Sequence, residues 1–472
     1  MKATTRASSP ASSFRQSVHK LHRVFQRILV ANRGEIAVRV IRALHELDIE
    51  AVAVYSTADE NAMHVRLADR AVRIGPPPAA QSYLNIPAVI AAATTTGREA
   101  VHPGYGFLAE NADLVRACTD NDLVFIGPPA DVMARMGDKL QAKAEMRDAG
   151  VPLVPGTIGA TTLPEALAAA DEFGYPVLLK AAAGGGGRGM RLVTSHAELE
   201  DAYPRAANEA LAAFSDGTLY VEKVIVPARH VEIQVLCDHH GTVLTCGERE
   251  CSIQRRHQKL IEESPSPALD AVLREKMEDA AERACRYIGY RNAGTFEFLV
   301  GSDGSFAFIE LNARLQVEHP VTELVTGLDL VRAQVRIAAG EELEHGGRAS
   351  RHGHAIEMRI NAEDPANGFA PAPGRLERFR PPLGPGVRVD TFVEEGTTIP
   401  PYYDSLIAKL VVRDNNRELA IRRALRALEE FEIEGVPTTR GALHEIIGSD
   451  AFRSGEYSTS FLDEVNLAAV TA

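Results

Sequence analysis

The chain has 472 residues, too many for a single hydrophobic core, and its length fits about two to four domains. Its 45% hydrophobic and 24% charged residues are typical of globular proteins, and its net charge of −13 argues against a general nucleic-acid binder. No apolar run approaches the roughly 20 residues that span a bilayer. Five cysteines without a Cys-x-x-Cys pair argue against a disulfide framework and a thiolate zinc site. We therefore expect a multidomain protein of a reducing compartment, with neither nucleic acid nor a membrane as a partner.

The N-terminal segment differs in composition from the rest of the chain. No Asp or Glu occurs from Met1 to Gly34, whereas serine, lysine and arginine are frequent there. Residues 1–23 fit either a disordered tail or an organellar targeting segment. The first alternative predicts a cytoplasmic protein, and the second predicts an organelle matrix or stroma.

The segment Arg27–Ser56 predicts a strand, a turn, a helix opened by Gly34 and a second buried strand. Such a βαβ unit requires a parallel sheet, so we expect an α/β domain over residues 24–136. Residues 137–345 mix helices with extended segments and predict an α+β domain. After a charged surface connection at residues 340–353, a strand-rich domain at 354–464 carries one amphipathic helix, Asn416–Phe431.

A run of four glycines, Gly184–Gly187, lies between two short apolar segments in KAAAGGGGRGMRLV. The spacing matches G-x-G-x-x-G, but that fingerprint requires a following helix, and MRLV predicts a strand. No Gly-Lys-Ser/Thr closes the run, so it is not a Walker loop. We predict a hairpin flap whose amides fold over phosphates, with Lys180 and Arg188 adding positive charge. The alternative is a flexible linker.

A second hairpin is predicted where GTFEFLV and SFAFIELN flank the turn GSDG at residues 301–304. If Val300 pairs with Ser305, Phe296, Phe298 and Ile309 share an apolar face, and the carboxylates share the other. The same alternation predicts one continuous strand with a single polar row: Glu310, Asn312, Arg314, Gln316 and Glu318. Carboxylate and amide oxygens suit Mg²⁺ or Mn²⁺, and the alternative is a solvated polar face.

Ten motifs occur in an order that resembles the ATP-grasp biotin carboxylases, from about Arg27 to Leu462. They are ANRGEIA, HPGYGFLAEN, MGDK, GGGGRGM, RHVEIQV, CSIQRRHQK, GTFEF, RLQVEHPVTE, RINAEDP and PPYYDSLIAKL. The resemblance implies a Rossmann-like N-terminal domain, an ATP-grasp domain with a glycine-rich lid and a C-terminal biotin carboxylase domain.

The resemblance also implies roles for individual residues. An ATP site would comprise Lys139, Lys180, Gly185, Gly186, Gly187, Met190, Glu222, Lys223, Ile225, His230, Gln254 and His257. Two Mg²⁺ or Mn²⁺ ions would bind Glu297 and Glu310, with Asn312 nearby. Bicarbonate would meet Lys259, Arg314, Gln316 and the Val317 amide, with Glu318 as the base. Biotin would lie against Tyr105 and Gln258, with Arg359 steadying its enolate.

The implied reaction transfers the γ-phosphoryl group of ATP to bicarbonate, and the carboxyphosphate formed releases CO₂ beside biotin. A Met-Lys-Met biotin acceptor is missing, so the resemblance implies a subunit that serves biotin on a separate carrier protein and works with carboxyltransferase subunits, as a homodimer. Two rival hypotheses remain: a purine-pathway carboxylating ligase with the same fold, and a catalytically silent nucleotide-binding regulator.

Overall fold

Five parallel strands form the sheet of the N-terminal region, in the order β3-β2-β1-β4-β5. The structure, a computed structural model, describes residues 25–157, 159, 161–182, 189–256 and 258–464. The strands are β1 (Arg27–Val30), β2 (Glu50–Ser56), β3 (Arg70–Gly75), β4 (Ala100–His102) and β5 (Val124–Phe125). The helices are α1 (Gly34–Glu46), α2 (Met63–Leu67), α3 (Ile86–Thr95), α4 (Ala112–Asp120) and α5 (Ala130–Gly137), with 3₁₀ turns at Thr57–Asp59 and Ala79–Gln81. The predicted βαβ unit is confirmed by the parallel pairing of β1 with β2.

A small antiparallel sheet, β7-β6-β8, packs against two helices to form a separate lid unit. Its elements are α7 (Leu163–Phe173), β6 (Val177–Ala181), β7 (Met190–Val193), α8 (His196–Phe214) and β8 (Leu219–Lys223), preceded by α6 (Lys139–Asp148). Lys180 pairs with Met190, so the strands flanking the glycine run form the predicted hairpin. Residues 183–188, which carry the glycine tip, lie outside the described residues. The strand expected to reach Val226 ends at Lys223 instead.

A nine-stranded sheet continues from the middle region into the C-terminal region, in the order β13-β12-β9-β10-β11-β15-β22-β20, with β14 paired to β10. Its strands are β9 (Ala228–Cys237), β10 (Val243–Arg255), β11 (Gln258–Ser264), β12 (Asn292–Gly301), β13 (Phe306–Asn312), β14 (Gly347–Arg348), β15 (His354–Asn361), β20 (Val387–Thr391) and β22 (Leu406–Asp414). The β11–β15 pairing therefore places side chains of the two regions on adjacent strands.

Helices and short strands complete these regions. The helices are α9 (Ala271–Ile288), α10 (His319–Thr326), α11 (Leu330–Ala338), α12 (Arg417–Glu430), α13 (Arg440–Gly448), α14 (Asp450–Ser454) and α15 (Phe461–Glu464). The short elements are β16 (Glu363–Asp364), a 3₁₀ turn (Pro365–Asn367), β17 (Ala370–Pro371), β18 (Gly374–Arg375), β19 (Arg378–Arg380), β21 (Thr398–Ile399) and β23 (Glu432–Glu434). The Asn416 side chain caps α12 by accepting from the Leu419 amide, which explains why the predicted helix begins there. Within the described ranges, no helix combines the length and the hydropathy needed to cross a bilayer.

The register of the predicted carboxylate hairpin was wrong. Val300 pairs with Phe306, and the ladder shifts between the Glu297–Glu310 and Phe298–Phe308 pairs. A bulge at this point leaves Ile309 only half-buried and turns Phe308 into the core. The strand also ends at Asn312, so the continuous strand predicted as far as Glu318 is replaced by a loop that leads into α10.

Candidate active site

Lys259, at the start of β11, lies at the centre of a cluster of buried carboxylates. Its Nζ donates to Glu232 Oε2 at 2.6 Å, to Glu297 Oε1 at 3.0 Å and to Glu318 Oε1 at 2.6 Å. Burial opposes the charged form of the lysine, but the three carboxylates outweigh burial and raise its pKa well above the ordinary value. The ammonium group is therefore a permanent positive charge that three acids hold in one place.

Glu318 lies between two cations. Its second oxygen accepts from Arg359 Nη2 at 2.9 Å, and Arg359 Nε donates to Glu262 Oε1 at 2.6 Å. Burial opposes ionisation of Glu318, yet the charges of Lys259 and Arg359 hold its pKa far below the ordinary value. The carboxylate is thus ionised at neutral pH and can accept a proton.

Side-chain amides complete the surroundings of Glu297. Its Oε1 accepts from Gln316 Nε2 and from Asn312 Nδ2, both at 2.9 Å. The loop after β13 crosses the sheet. Gln316 and Glu318 therefore reach Glu297 and Lys259, although we expected a straight strand to bring these side chains together. These side chains therefore converge even though the predicted strand was wrong.

Arg314 is held by a residue to which sequence reasoning gave no role. Glu110 Oε2 accepts from Arg314 Nε at 2.8 Å, and Glu110 Oε1 accepts from the Ala313 amide at 2.9 Å. Glu110 belongs to the motif HPGYGFLAEN, which is the signal that could have pointed to it. It ties the loop after β13 to the N-terminal region.

Glu297 and Glu310 are paired across β12 and β13, as a shared cation requires. Burial and the charge of Glu297 raise the pKa of Glu310, so a divalent cation there would relieve a repulsion that the protein alone leaves in place. An all-oxygen donor set suits Mg²⁺ or Mn²⁺. Asn312 presents its amide nitrogen to Glu297, while its Oδ1 accepts from Arg314 Nη2 at 2.8 Å, so its oxygen is not directed at this pair.

The residues predicted for the phosphates form a cationic group beside the lid sheet. The Glu222 carboxylate pairs with both Lys180 and Lys143, and these charges lower its pKa although burial opposes them. Burial lowers the pKa of Lys139. The nearby charge of Lys180 lowers it further, and the charge of Glu310 opposes this shift. Lys143 was not predicted, because it appears in the sequence as one more charged residue of the helix α6.

The other residues predicted for the nucleotide are distributed around this group. His230 Nε2 lies 3.1 Å from Glu297 Oε2, and His230 Nδ1 lies 2.9 Å from Gln254 Nε2. Lys223 Nζ donates to the Gly174 carbonyl at 2.7 Å, so this side chain is engaged with the lid unit. Ile225 follows β8 and is half-buried, and Met190 begins β7. Gly185, Gly186, Gly187 and His257 lie outside the described residues.

A cavity of about 520 Å³ opens beside the carboxylate cluster. Its walls include the three residues predicted for biotin together with two predicted for bicarbonate: Tyr105, Gln258, Arg359, Arg314 and Val317. The Tyr105 hydroxyl is buried and has no hydrogen-bond partner among the described residues. A mostly apolar wall with an unused buried hydroxyl and a guanidinium fits a fused-ring urea such as biotin.

A lid sheet facing converged lysines and carboxylates defines an enzyme of the ATP-grasp class, and comparisons with known proteins specify the family. Family models match residues 24–133 (biotin carboxylase, N-terminal domain), 138–346 (carbamoyl-phosphate synthase L chain, ATP binding domain) and 357–464 (biotin carboxylase C-terminal domain). The chain belongs to the biotin carboxylase family.

Three relatives illustrate the similarity. The biotin carboxylase of Nostoc sp. is 54% identical over 94% of this chain and 99% of its own. The chloroplastic biotin carboxylase of Arabidopsis thaliana is 52% identical over 92% of this chain and 82% of its own. A crystal structure of the biotin carboxylase domain dimer of Hydrogenobacter thermophilus 2-oxoglutarate carboxylase, with MgADP, ADP and bicarbonate, superposes with a TM-score of 0.89 at 49% identity, covering 93% of this chain and 97% of that one.

Proposed function

We propose that this chain uses ATP and bicarbonate to carboxylate biotin borne by a separate carrier protein. The observation that supports this most strongly is the position of Lys259 and Arg359 around Glu318, at the edge of the cavity lined by Tyr105 and Gln258. An anion site, a base and a pocket for an acceptor thus adjoin one another, as carboxylation of a weak nucleophile requires.

Bicarbonate binds where Lys259, Arg314, Gln316 and the Val317 amide offer hydrogen-bond donors. Because the substrate anion takes a share of the Lys259 charge, binding weakens the Lys259–Glu318 ion pair and makes Glu318 a stronger base. Glu318 then removes the bicarbonate proton, and the oxyanion formed attacks the γ-phosphorus of ATP, so that ADP leaves and carboxyphosphate forms. Carboxyphosphate then breaks into CO₂ and phosphate, and the released phosphate takes the N–H proton of the biotin ureido group. Arg359 stays charged at all working pH values and stabilises the resulting enolate, whose nitrogen attacks CO₂ to form carboxybiotin.

Lys139 and Lys180 bind the ATP phosphates, and we assign Gly185, Gly186 and Gly187 to the same phosphates. Met190, Glu222, Lys223, Ile225, His230, Gln254 and His257 are the further contacts that we assign to the nucleotide. Glu297 and Glu310, with Asn312 nearby, would hold Mg²⁺ or Mn²⁺, which neutralises charge that builds up on the phosphates. Exclusion of water by the closed lid protects the carboxyphosphate.

The experiment is a phosphate-release assay in which ATP, Mg²⁺, bicarbonate and biotin are omitted in turn. We expect hydrolysis that needs bicarbonate and is stimulated by free biotin. Dependence on another acceptor would favour a purine-type carboxylating ligase, and ATP binding without turnover would favour a silent regulator. A biotin mass increment on the purified chain would contradict a separate carrier.

We further propose that the chain is a homodimer that works with a biotin carboxyl carrier protein and carboxyltransferase subunits in an acetyl-CoA or other acyl-CoA carboxylase of fatty acid synthesis. Co-purified subunits assayed with acetyl-CoA and with 2-oxoglutarate will decide the acceptor, and light scattering will give the oligomer. The five buried, unpaired cysteines support a reducing location such as the cytoplasm. Sequencing the N-terminus of the mature protein tests the organelle alternative.

A further inference from the structure

Arg249, on β10, is fully buried behind the carboxylate cluster and has no role in the proposed reaction so far. Its five N–H groups meet five side-chain acceptors, contributed by four different parts of the chain. The acceptors are Glu232 Oε1, Gln234 Oε1 at 2.7 Å, Thr322 Oγ1 at 3.1 Å, Thr295 Oγ1 at 3.1 Å and Gln316 Oε1 at 2.7 Å. A guanidinium this fully engaged has one orientation, since any rotation would leave a buried donor unpaired.

We propose that Arg249 is a positioning residue that sets the side-chain amide of Gln316 so that its NH₂ group, rather than its oxygen, faces the bicarbonate pocket. This inference rests on the proposed function. An amide can present either end to its surroundings, whereas a guanidinium has donors only. Gln316 must therefore turn its oxygen toward Arg249, and its nitrogen is left to face Glu297 Oε1 at 2.9 Å on the side of Lys259.

The orientation matters because bicarbonate is an anion. An amide NH₂ stabilises it, whereas an amide oxygen in the same place repels it. By orienting Gln316, the Arg249 guanidinium thus favours an anionic ligand that it does not itself contact. The positive charge of Arg249 is neutralised by its ion pair with Glu232.

The first test is the variant Arg249→Lys, which keeps the ion pair with Glu232 but lacks the planar fork that reaches Gln316. We expect the KM for bicarbonate to rise about 10- to 100-fold, as expected for loss of a hydrogen bond to a charged group, with the KM for ATP within about twofold. Thr322→Val is the matched control: it removes another acceptor of Arg249 and leaves Gln316 bonded, so the bicarbonate KM stays within about twofold of wild type.

A double-mutant cycle separates positioning from a general structural role. In the Gln316→Ala variant, residue 249 has no side-chain amide to orient. We therefore expect the double variant to have a bicarbonate KM within about twofold of that of Gln316→Ala alone. Equal effects in the two backgrounds would overturn the proposal. A second variant, Gln316→Glu, tests the proposal even if Arg249→Lys does not fold. It keeps one oxygen on Arg249 and places a second oxygen toward the pocket, so we expect it to abolish bicarbonate binding. Normal bicarbonate binding by Gln316→Glu would also overturn the proposal.

A bicarbonate titration followed by Tm, with ATP absent, measures binding without turnover. We expect bicarbonate to raise the Tm of the wild type and of Thr322→Val, and to have a much smaller effect on Arg249→Lys. If this pattern holds while phosphate release does not need bicarbonate, the orientation stands and the proposed reaction fails. If bicarbonate leaves the wild-type Tm unchanged, both are wrong.

Discussion

The substitution Glu318→Gln tests the proposed base directly. The side chain is 2% exposed and accepts from Lys259 at 2.6 Å and from Arg359 at 2.9 Å. Glutamine has the same shape but a single acceptor oxygen, so its NH₂ group must face one of the two cations. The loss of one charge-assisted hydrogen bond predicts about 1.5–3 kcal/mol lower stability. The loss of a general base predicts a kcat about 10²- to 10⁴-fold lower, or about 3–5 kcal/mol of activation free energy.

The assay is bicarbonate-dependent phosphate release with saturating ATP and biotin, together with chemical unfolding of the same sample. Glu262→Gln is the matched control, because Glu262 is also fully buried and accepts from Arg359 at 2.6 Å, but it is not bonded to Lys259. We expect its kcat to fall less than about fivefold. Equal losses in the two variants would show that Glu318 acts only by holding Arg359, and a Glu318→Gln enzyme with near-normal kcat would remove the base from the mechanism.

Three further predictions concern buried polar groups of the site. Burial raises the pKa of Glu35 to about 7 despite the Lys409 charge, so the stability that it contributes below its ordinary pKa of 4.5 is lost as the pH rises toward 7. Glu35→Gln is expected to remove about 3 kcal/mol of that pH dependence in urea unfolding, and an unchanged pH profile would contradict the shift. Tyr105→Phe removes an unpartnered hydroxyl, so we expect an unchanged Tm and a KM for biotin about fivefold higher; a lower Tm would mean that the hydroxyl is already bonded. Glu310→Gln relieves repulsion with Glu297, so the metal-free Tm rises while half-maximal activity needs more Mg²⁺, and a lower Tm would refute the repulsion.

Hydrophobic periodicity was enough to predict the parallel opening sheet, because buried strands and an amphipathic helix leave local patterns. Together with the turn residues it also predicted the two hairpins, although not the register of the second. It could not predict the bulge at Ile309, since a single extra residue moves Phe308 into the core without changing the composition of the strand. The prediction that the polar row from Glu310 to Glu318 forms one strand was wrong for a related reason. Alternation continues through Glu318, but nothing local shows that the chain leaves the sheet after Asn312.

The site residues were predicted from motifs, whereas the residues that hold them were not. Glu110 is 204 positions from Arg314, and Glu262 is 97 positions from Arg359. Pairing over such separations is set by tertiary packing, so one sequence cannot show which of many acids will meet which arginine. Arg249 illustrates the limit, because nothing in the local sequence distinguishes a central guanidinium with five buried acceptors from a surface arginine.

The proposed site residues named below lie on two different sheets, and this distribution gives a physical reason for their arrangement. Glu232 and Glu297 are directly paired on β9 and β12, and Lys259 and Arg359 lie on the adjacent strands β11 and β15 of the same large sheet. The backbone of central strands in one sheet is rigid, so the positions of their side chains vary little. A reaction that brings ATP, bicarbonate and biotin together requires such precise positions. Lys180 belongs to the small lid sheet instead. We therefore expect that closure over ATP, if it moves the lid sheet, leaves the proposed base, anion site and enolate-binding arginine in place.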